Sequence, residues 1–391
     1  MPTPANWTCD PDSYTELATG ITKRAANPIE ALWPLLKAGD IVELAAGSYK
    51  RFSFGPHARG PLGIVTFRGP PLVNGRPAVT IMRDTAVGGS STAQINKTSG
   101  QRSGEVRFSR IRFEADDRSA IFTQKGGCTN VSFVLCEITG NGNAYDPDWK
   151  DNCKWGARVY DTGGWWFSQC VMGDIRDEHA FYADCIAGDH KWEDCTITHC
   201  GRTAFQIVNR PPPDGTNPGF GNLDWNGITI RDVCLEAQGG GSAFHLAGGM
   251  PTTIATLRNV DIELGCDPAL ASTFQPNITG GMACNDGNPT FPGGIGELHL
   301  INFSSEVGKV YPGVGGARRS NVLVDDCGVL VLDSVRLIQH PKAHPIALEI
   351  GANVHRVTFS GVNEIVGQIK YRGAIYKTLD ALHAAVPALF I

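Results

Sequence analysis

From residue 106 onward the chain repeats one hydrophobic phrase: apolar-x-apolar-x-x-apolar-x-apolar. It first appears as Val106, Phe108, Ile111 and Phe113, then as Val131, Phe133, Cys136 and Ile138, then as Trp165, Phe167, Cys170 and Met172. Later copies are Trp192, Cys195 and Ile197; Ile228, Ile230, Val233 and Leu235; and Ala255, Leu257, Val260 and Ile262. The last are Leu298, Leu300 and Phe303; Leu330, Leu332, Val335 and Leu337; and Val357, Phe359 and Val362. A spacing of two predicts a strand on each side, and the step of three marks a bend that resets which side faces inward. Two short strands per copy and a shortest period of about 25 residues predict a solenoid of β coils. Length variation is confined to gaps rich in Gly, Pro, Asn and Asp, as inter-coil loops require.

A second phrase falls on another strand of each coil. It reads Ala120-Ile-Phe-Thr, Ala180-Phe-Tyr-Ala, Ala204-Phe-Gln-Ile, Ala243-Phe-His-Leu and Ala347-Leu-Glu-Ile, and GARVY at 156–160 fits the same strand. Alternation makes Ile121, Ala157, Phe181, Phe205, Phe244 and Leu348 an inward column. Phe122, Arg158, Tyr182, Gln206, His245 and Glu349 become an outward row, with Tyr160 and Asp184 two residues further along on the same face. In the first phrase, Cys136, Cys170 and Cys195 are expected to stack with Ile111, Val233 and Val260 as small buried hydrophobes. With no C-x-x-C pair among twelve Cys, zinc spacing is missing. Cys266 and Cys284 are read as lying in one long loop, where they could bridge.

These phrases resemble the right-handed parallel β-helix of the pectate-lyase-like superfold, and AGDIVELAAGSY at 38–49 resembles its first coil. The expected fold is all-β: a single-stranded parallel β-helix of roughly ten coils forming one domain over residues 1–391. The amphipathic stretch LATGITKRAANPIEALWPLLK is expected to supply a capping helix within an N-terminal cap at about 12–38. Coils should run from about 40 to 370, and YKTLDALHAAVPALF should close the stack as a short helix within about 376–391.

Composition changes this picture only at the level of partners. The net charge of −5 gives no basic field for nucleic acid, and no apolar run is long enough to span a membrane. The opening MPTPANWTCDPDSYTEL does not read as a signal peptide. The location is left between a cytoplasmic protein, a phage particle, and a secreted or periplasmic chain relieved of its leader; the oligomeric state is open.

The superfold implies a polysaccharide partner, and DEHAFYAD at 177–184 concentrates the candidate chemistry. A lyase or C5-epimerase removes the proton α to a uronate carboxylate, which needs a base, an acid and a charge partner for the carboxylate. His179 is the expected base, Tyr182 the acid, and Asp177 the group orienting the imidazole. Arg202 or Arg158 is the expected bidentate carboxylate clamp. Asp177-Glu178-His179 also resembles the Asp-Pro-His segment of β-helical mannuronan epimerases, which would give Asp177 and His179 those roles. Tyr160, Asp184, Gln206, Asn209, Arg210 and His245 complete a patch for substrate. Trp155, with Trp149 and Trp225, is read as lying in the loops 141–164 and 209–226 and offering faces to sugar rings. Against an acidic substrate, residues 149–210 hold seven Lys or Arg and nine Asp or Glu, a poor balance for a polyanion groove.

A tailspike-like glycoside hydrolase would instead pair carboxylates among Asp177, Glu178, Asp184 and Glu193. The Asn-Thr-Asp and Gly-His-Gly motifs of polygalacturonases are missing. A third reading is a non-catalytic glycan-binding or structural solenoid. No cofactor is expected, with one alternative: Asp146, Asp148 and Asp151 offer the oxygen ligands that Ca²⁺ takes, though without the glycine and closing Glu of an EF-hand loop.

Overall fold

The computed structural model describes residues 4–55, 63–82, 91–96, 104–115, 119–124, 130–140, 155–160, 164–175, 178–184, 188–208, 221–234, 241–264, 278–285, 294–308, 320–340 and 345–390. Within them the chain is all-β, with two short α-helices. Long parallel stacks dominate, an arrangement compatible with a β-helix. One sheet has 22 described strands and carries both halves of the first phrase; the other has 12 and carries the second phrase. Three successive strands therefore recur per repeat, as in Asn130–Val134, Glu137–Gly140 and Trp155–Tyr160, followed by Gly164–Ser168, Val171–Ile175 and Phe181–Asp184.

The register follows the hydrophobic phrases. Val106 pairs with Val131 and Phe108 with Phe133; these pair onward with Trp165 and Phe167. The apolar positions thus form continuous interior columns, and aromatic rings lie one above another. Phe108 to Phe133, Phe133 to Phe167 and Phe167 to Trp192 have ring centroids 5.3, 4.8 and 3.9 Å apart. Dispersion within such a close-packed interior, added to the burial of large rings, holds the stacked strands together.

The three-residue step has a backbone cause. The residue just before the sixth position of the phrase adopts positive φ in successive copies: Arg110, Leu135, Gln169, Asp194, Gly227, Asn259, Asn302, Ser334 and Gly361. One left-handed residue turns the chain sharply and changes which side faces inward. Two of these corners hold Asn, which tolerates that conformation. The Asn259 side chain donates to Asn226 Oδ1 and accepts from Asn302, each at 2.8 Å, which ties three neighbouring corners together.

Several details depart from the expected layout. The copy read as Ile228, Ile230, Val233 is shifted: Leu223, Trp225, Ile228 and Ile230 occupy the phrase, with Ile228 opposite Val260 and Ile230 opposite Ile262. Ile228 therefore continues the Cys136–Cys170–Cys195 column and Val233 does not. Ile228-x-Ile230 followed by Val233 copies the spacing of the phrase, which is what misleads. Cys136, Cys170 and Cys195 are buried free thiols in the core, as expected. Cys284 lies in the strand Ile278–Asn285, not in a loop, and is a buried free thiol; Cys266 lies outside the described residues.

The N-terminal cap is mainly strand. Trp7–Asp10, Ser13–Glu16 and Ile21–Arg24 form antiparallel pairings, and the first also pairs in parallel with Ile41–Leu44. The helix is only Pro28–Leu32, capped by Asn27 and followed by a 3-10 turn at Trp33–Leu35. At the other end Thr378 caps the helix Leu379–Ala385, within the range expected. Among the described residues no helix is long and apolar enough to cross a membrane.

Candidate active site

The second phrase produces the row that alternation predicts. Phe122 pairs with Arg158, Arg158 with Tyr182, Tyr182 with Gln206, and Gln206 with His245. The row then passes through Ala283 and Leu323 before reaching Glu349. Behind it the apolar column runs Ile121, Ala157, Phe181, Phe205 and Phe244, then Met282 and Val322 before Leu348. The strand Gly241–Ala247 takes its expected place; the next two, Ile278–Asn285 and Val322–Val324, lie between the Ala243 and Ala347 phrases and carry no copy of them. Arg158 to His245 spans three inter-strand steps, roughly 14 Å.

At the centre, His179 and Tyr182 stack with ring centroids 5.6 Å apart and planes 29° from parallel. Both are buried, at 6% and 8% exposure. Tyr182 nevertheless lies outside the interior columns, in a small outer cluster with Val208 and Ala247 against which Trp155 packs. The Arg158 guanidinium carbon lies 4.1 Å from the centroid of the Trp155 ring and 6.0 Å from that of Tyr182. Trp155 thus belongs to the strand Trp155–Tyr160, with one face taken by a cation, and not to a loop presenting that face to sugar.

Glu178 holds the site together. Its Oε2 accepts from Arg202 Nη1 at 2.7 Å and lies 3.3 Å from His179 Nε2. Burial, with the Arg202 and His245 charges nearby, pushes the His179 imidazole down to about 3. The adjacent carboxylate acts in the opposite sense, but Arg202 offsets its charge at close range, and the ring is neutral at ordinary pH. A neutral, stacked imidazole beside a phenol can accept one proton while the phenol delivers another. Among the described residues His179 Nδ1 is buried without a hydrogen-bond partner.

Expected residues therefore divide. His179, Tyr182, Arg202, Arg158 and Trp155 come together, with Gln206 and His245 further along the same row. The backbones of Tyr160 and Asp184 pair as expected, but their side chains, and Asp177, Asn209 and Arg210 entirely, lie outside the described residues. So do Trp149 and the Asp146, Asp148 and Asp151 cluster; among the described residues no group of three or more His, Cys, Asp or Glu could hold a metal ion. Trp225 is fully buried in the core and offers no face to a ligand. Glu193 belongs to the other sheet, where it accepts from Trp166 Nε1 at 3.0 Å and pairs with Lys191 at 2.7 Å. It is not a partner for Glu178 across a glycosidic bond.

Sequence reasoning missed the part Glu178 plays. On a strand, neighbours 178 and 179 would point to opposite sides, but both precede the strand Phe181–Asp184, where alternation does not apply. The signal available was the repeat itself: Arg202 N donates to Glu178 O at 2.9 Å, so the two residues lie side by side in successive repeats. No protein-family model matches the chain, and no curated protein matches it in sequence.

Proposed function

We propose that the protein is a right-handed parallel β-helix of the pectate-lyase-like kind, and that it acts on a uronate-containing polysaccharide as a lyase or C5-epimerase. The observation that carries this reading is the stacked pair His179–Tyr182, one ring a neutral base and the other a phenolic acid, on a row bordered by arginines. His179 takes the proton from the carbon α to the uronate carboxylate, and the electron pair passes into that carboxylate. In a lyase Tyr182 protonates the departing glycosidic oxygen as the double bond forms. In an epimerase a proton returns to the opposite face of the same carbon. Arg158 lies beside Tyr182 and is placed to stabilise the charge that develops on the carboxylate. An anionic sugar brought into the site also raises the proton affinity of the imidazole that Arg202 otherwise depresses.

The test is proton NMR in D₂O of neutral and uronate-containing polysaccharides incubated with the protein. Vinyl signals of an unsaturated uronate establish a lyase, and loss of the C5 proton signal without chain cleavage establishes an epimerase. New reducing ends alone transfer the assignment to hydrolysis. Unchanged spectra across the panel sink the catalytic reading and leave a binding or structural solenoid.

A further inference from the structure

The two arginines of the site differ in what they already face. Arg202 is matched by Glu178, with Nη1 2.7 Å from Oε2, so its guanidinium is committed within the protein. Arg158 is stacked on Trp155, 4.1 Å from the ring centroid, and lies 6.0 Å from the centroid of Tyr182. Stacking occupies the face of a guanidinium and leaves its N–H edge to meet a carboxylate, at one fixed place on the row. Beyond Tyr182 the row continues with the Gln206 amide and the His245 ring, and then reaches Ala283, which is 1% exposed and presents no polar group. The stretch from Arg158 to His245, roughly 14 Å, spans a few sugar units. A homopolymer of uronate lays one negative charge per sugar along it. Whichever way each carboxylate points, successive charges repel through salt whose Debye length is about 8 Å. The surrounding chain has no cationic surplus to meet them, with seven Lys or Arg against nine Asp or Glu over residues 149–210. One uronate beside neutral sugars matches the row: a fixed cation for the acid, then an amide that both donates to and accepts from the hydroxyls of the neighbour.

We propose that the substrate is a mixed acidic polysaccharide whose uronate units are separated by neutral sugars, with the reacting uronate held by Arg158 and a neutral neighbour by Gln206. Trp155 sets where the carboxylate lies by fixing the guanidinium, and Glu178 keeps Arg202 from offering a second anchor. Turnover of this class rests on the acid–base reading above; the preference in binding stands without it.

The experiment compares hyaluronan and deacylated gellan, in which neutral sugars separate the uronates, with polygalacturonate and polymannuronate. Affinity electrophoresis of the full chain carrying His179→Gln, which leaves bound glycan intact, reads binding at physiological salt, and proton NMR of the wild type reads product. The mixed glycans should bind about tenfold or more tighter than either homopolymer. Adding Arg158→Gln should weaken mixed-glycan binding about tenfold. Reducing the carboxyl groups of hyaluronan to alcohols should cost the same factor, and nothing further once Arg158→Gln is present. Gln206→Arg should shift the preference toward the homopolymers. Homopolymers bound as tightly as the mixed glycans overturn the proposal, as does mixed-glycan binding unchanged in Arg158→Gln or no binding to any of these glycans. Should Arg158→Gln fail to fold, native against carboxyl-reduced hyaluronan still decides. The expected binding preference with no product from any glycan removes the acid–base reading alone. Product that depends on His179 and forms from the homopolymers at least as fast as from the mixed glycans removes the mixed class alone.

Discussion

Two stacked rings, His179 and Tyr182, divide the candidate chemistry between them. The imidazole is held neutral by burial and by Arg202, and the phenol is packed beside it with Val208 and Ala247. If both take part in proton transfer, His179→Gln and Tyr182→Phe should each lower turnover by about 10²- to 10⁴-fold, the usual range for a positioned acid or base. Their thermal transitions should stay near the wild type, since each change keeps the approximate shape of the side chain. Steady-state rates on whichever polysaccharide yields product, with melting curves alongside, check this; a loss of less than tenfold in either variant removes that residue from the reaction. The thiols give a second expectation at this scale. All eight described cysteines are buried and free, and burial pushes Cys9 up to about 12. A thiol kept away from solvent is out of a reagent's reach, so these eight should resist a disulfide reagent in the native protein and react only on unfolding. Peptide mapping after labelling reads this residue by residue.

The strand–corner–strand element explains how much of the fold was legible and where legibility ended. Column membership could be read at Ile121, Ala157, Phe181, Phe205 and Phe244 because each inward side chain has apolar neighbours at a spacing of two. It failed at Trp225, because a buried Trp in a ladder and an exposed Trp in a loop have the same local sequence signal. Only the pairing of Trp192 with Trp225 separates them. The N-terminal strands were missed for a related reason: amphipathic spacing near a short helix hides antiparallel pairs whose hydrogen bonds carry no sequence signature. Glu178 was read only as a candidate hydrolase carboxylate, because its place beside His179 and Arg202 depends on a turn and on the residue in the next repeat. The corners carry their own prediction. Asn259 has a φ of 51°, and its side chain both donates and accepts between neighbouring corners. Asn259→Val should cost the left-handed strain of a β-branched residue plus both hydrogen bonds, about 2 to 4 kcal/mol in all. Asn259→Gly keeps the conformation and loses only the bonds, so it should cost about half as much. Urea unfolding of the pair separates backbone from ladder; equal losses would show that the conformation carries no strain.

Across the whole molecule, two buried histidines couple stability to acid. His179 and His190 are both pushed down to about 3, the first by burial with the nearby Arg202 and His245 charges and the second by burial alone. His190 occupies an interior position between Trp165 and Leu223, and among the described residues neither ring nitrogen has a hydrogen-bond partner. In the unfolded chain a histidine takes a proton near its ordinary value of about 6.5, whereas the fold refuses it until about 3. The unfolded state therefore binds more protons throughout that window. Both contributions are fully present above about pH 6.5 and are lost as pH falls toward 3, each by up to about 1.4 kcal/mol per pH unit. His190→Leu should remove one of the two slopes. It should also stabilise the protein at pH 7 by about 1 to 3 kcal/mol, because it replaces an unsatisfied buried polar ring with an apolar side chain of similar volume. The check is the urea midpoint of wild type and variant at pH 7, 6 and 5. The two curves should diverge as pH falls, with the variant losing less; parallel curves would mean that the His190 ring finds a proton acceptor inside the fold. Stability that drains away through this window would also confine any activity at the His179 site to neutral conditions, although the imidazole itself stays neutral well below them. An activity profile that falls together with the melting temperature on the acid side, and recovers in His190→Leu, would show that the acid limit belongs to the buried core and not to the candidate base.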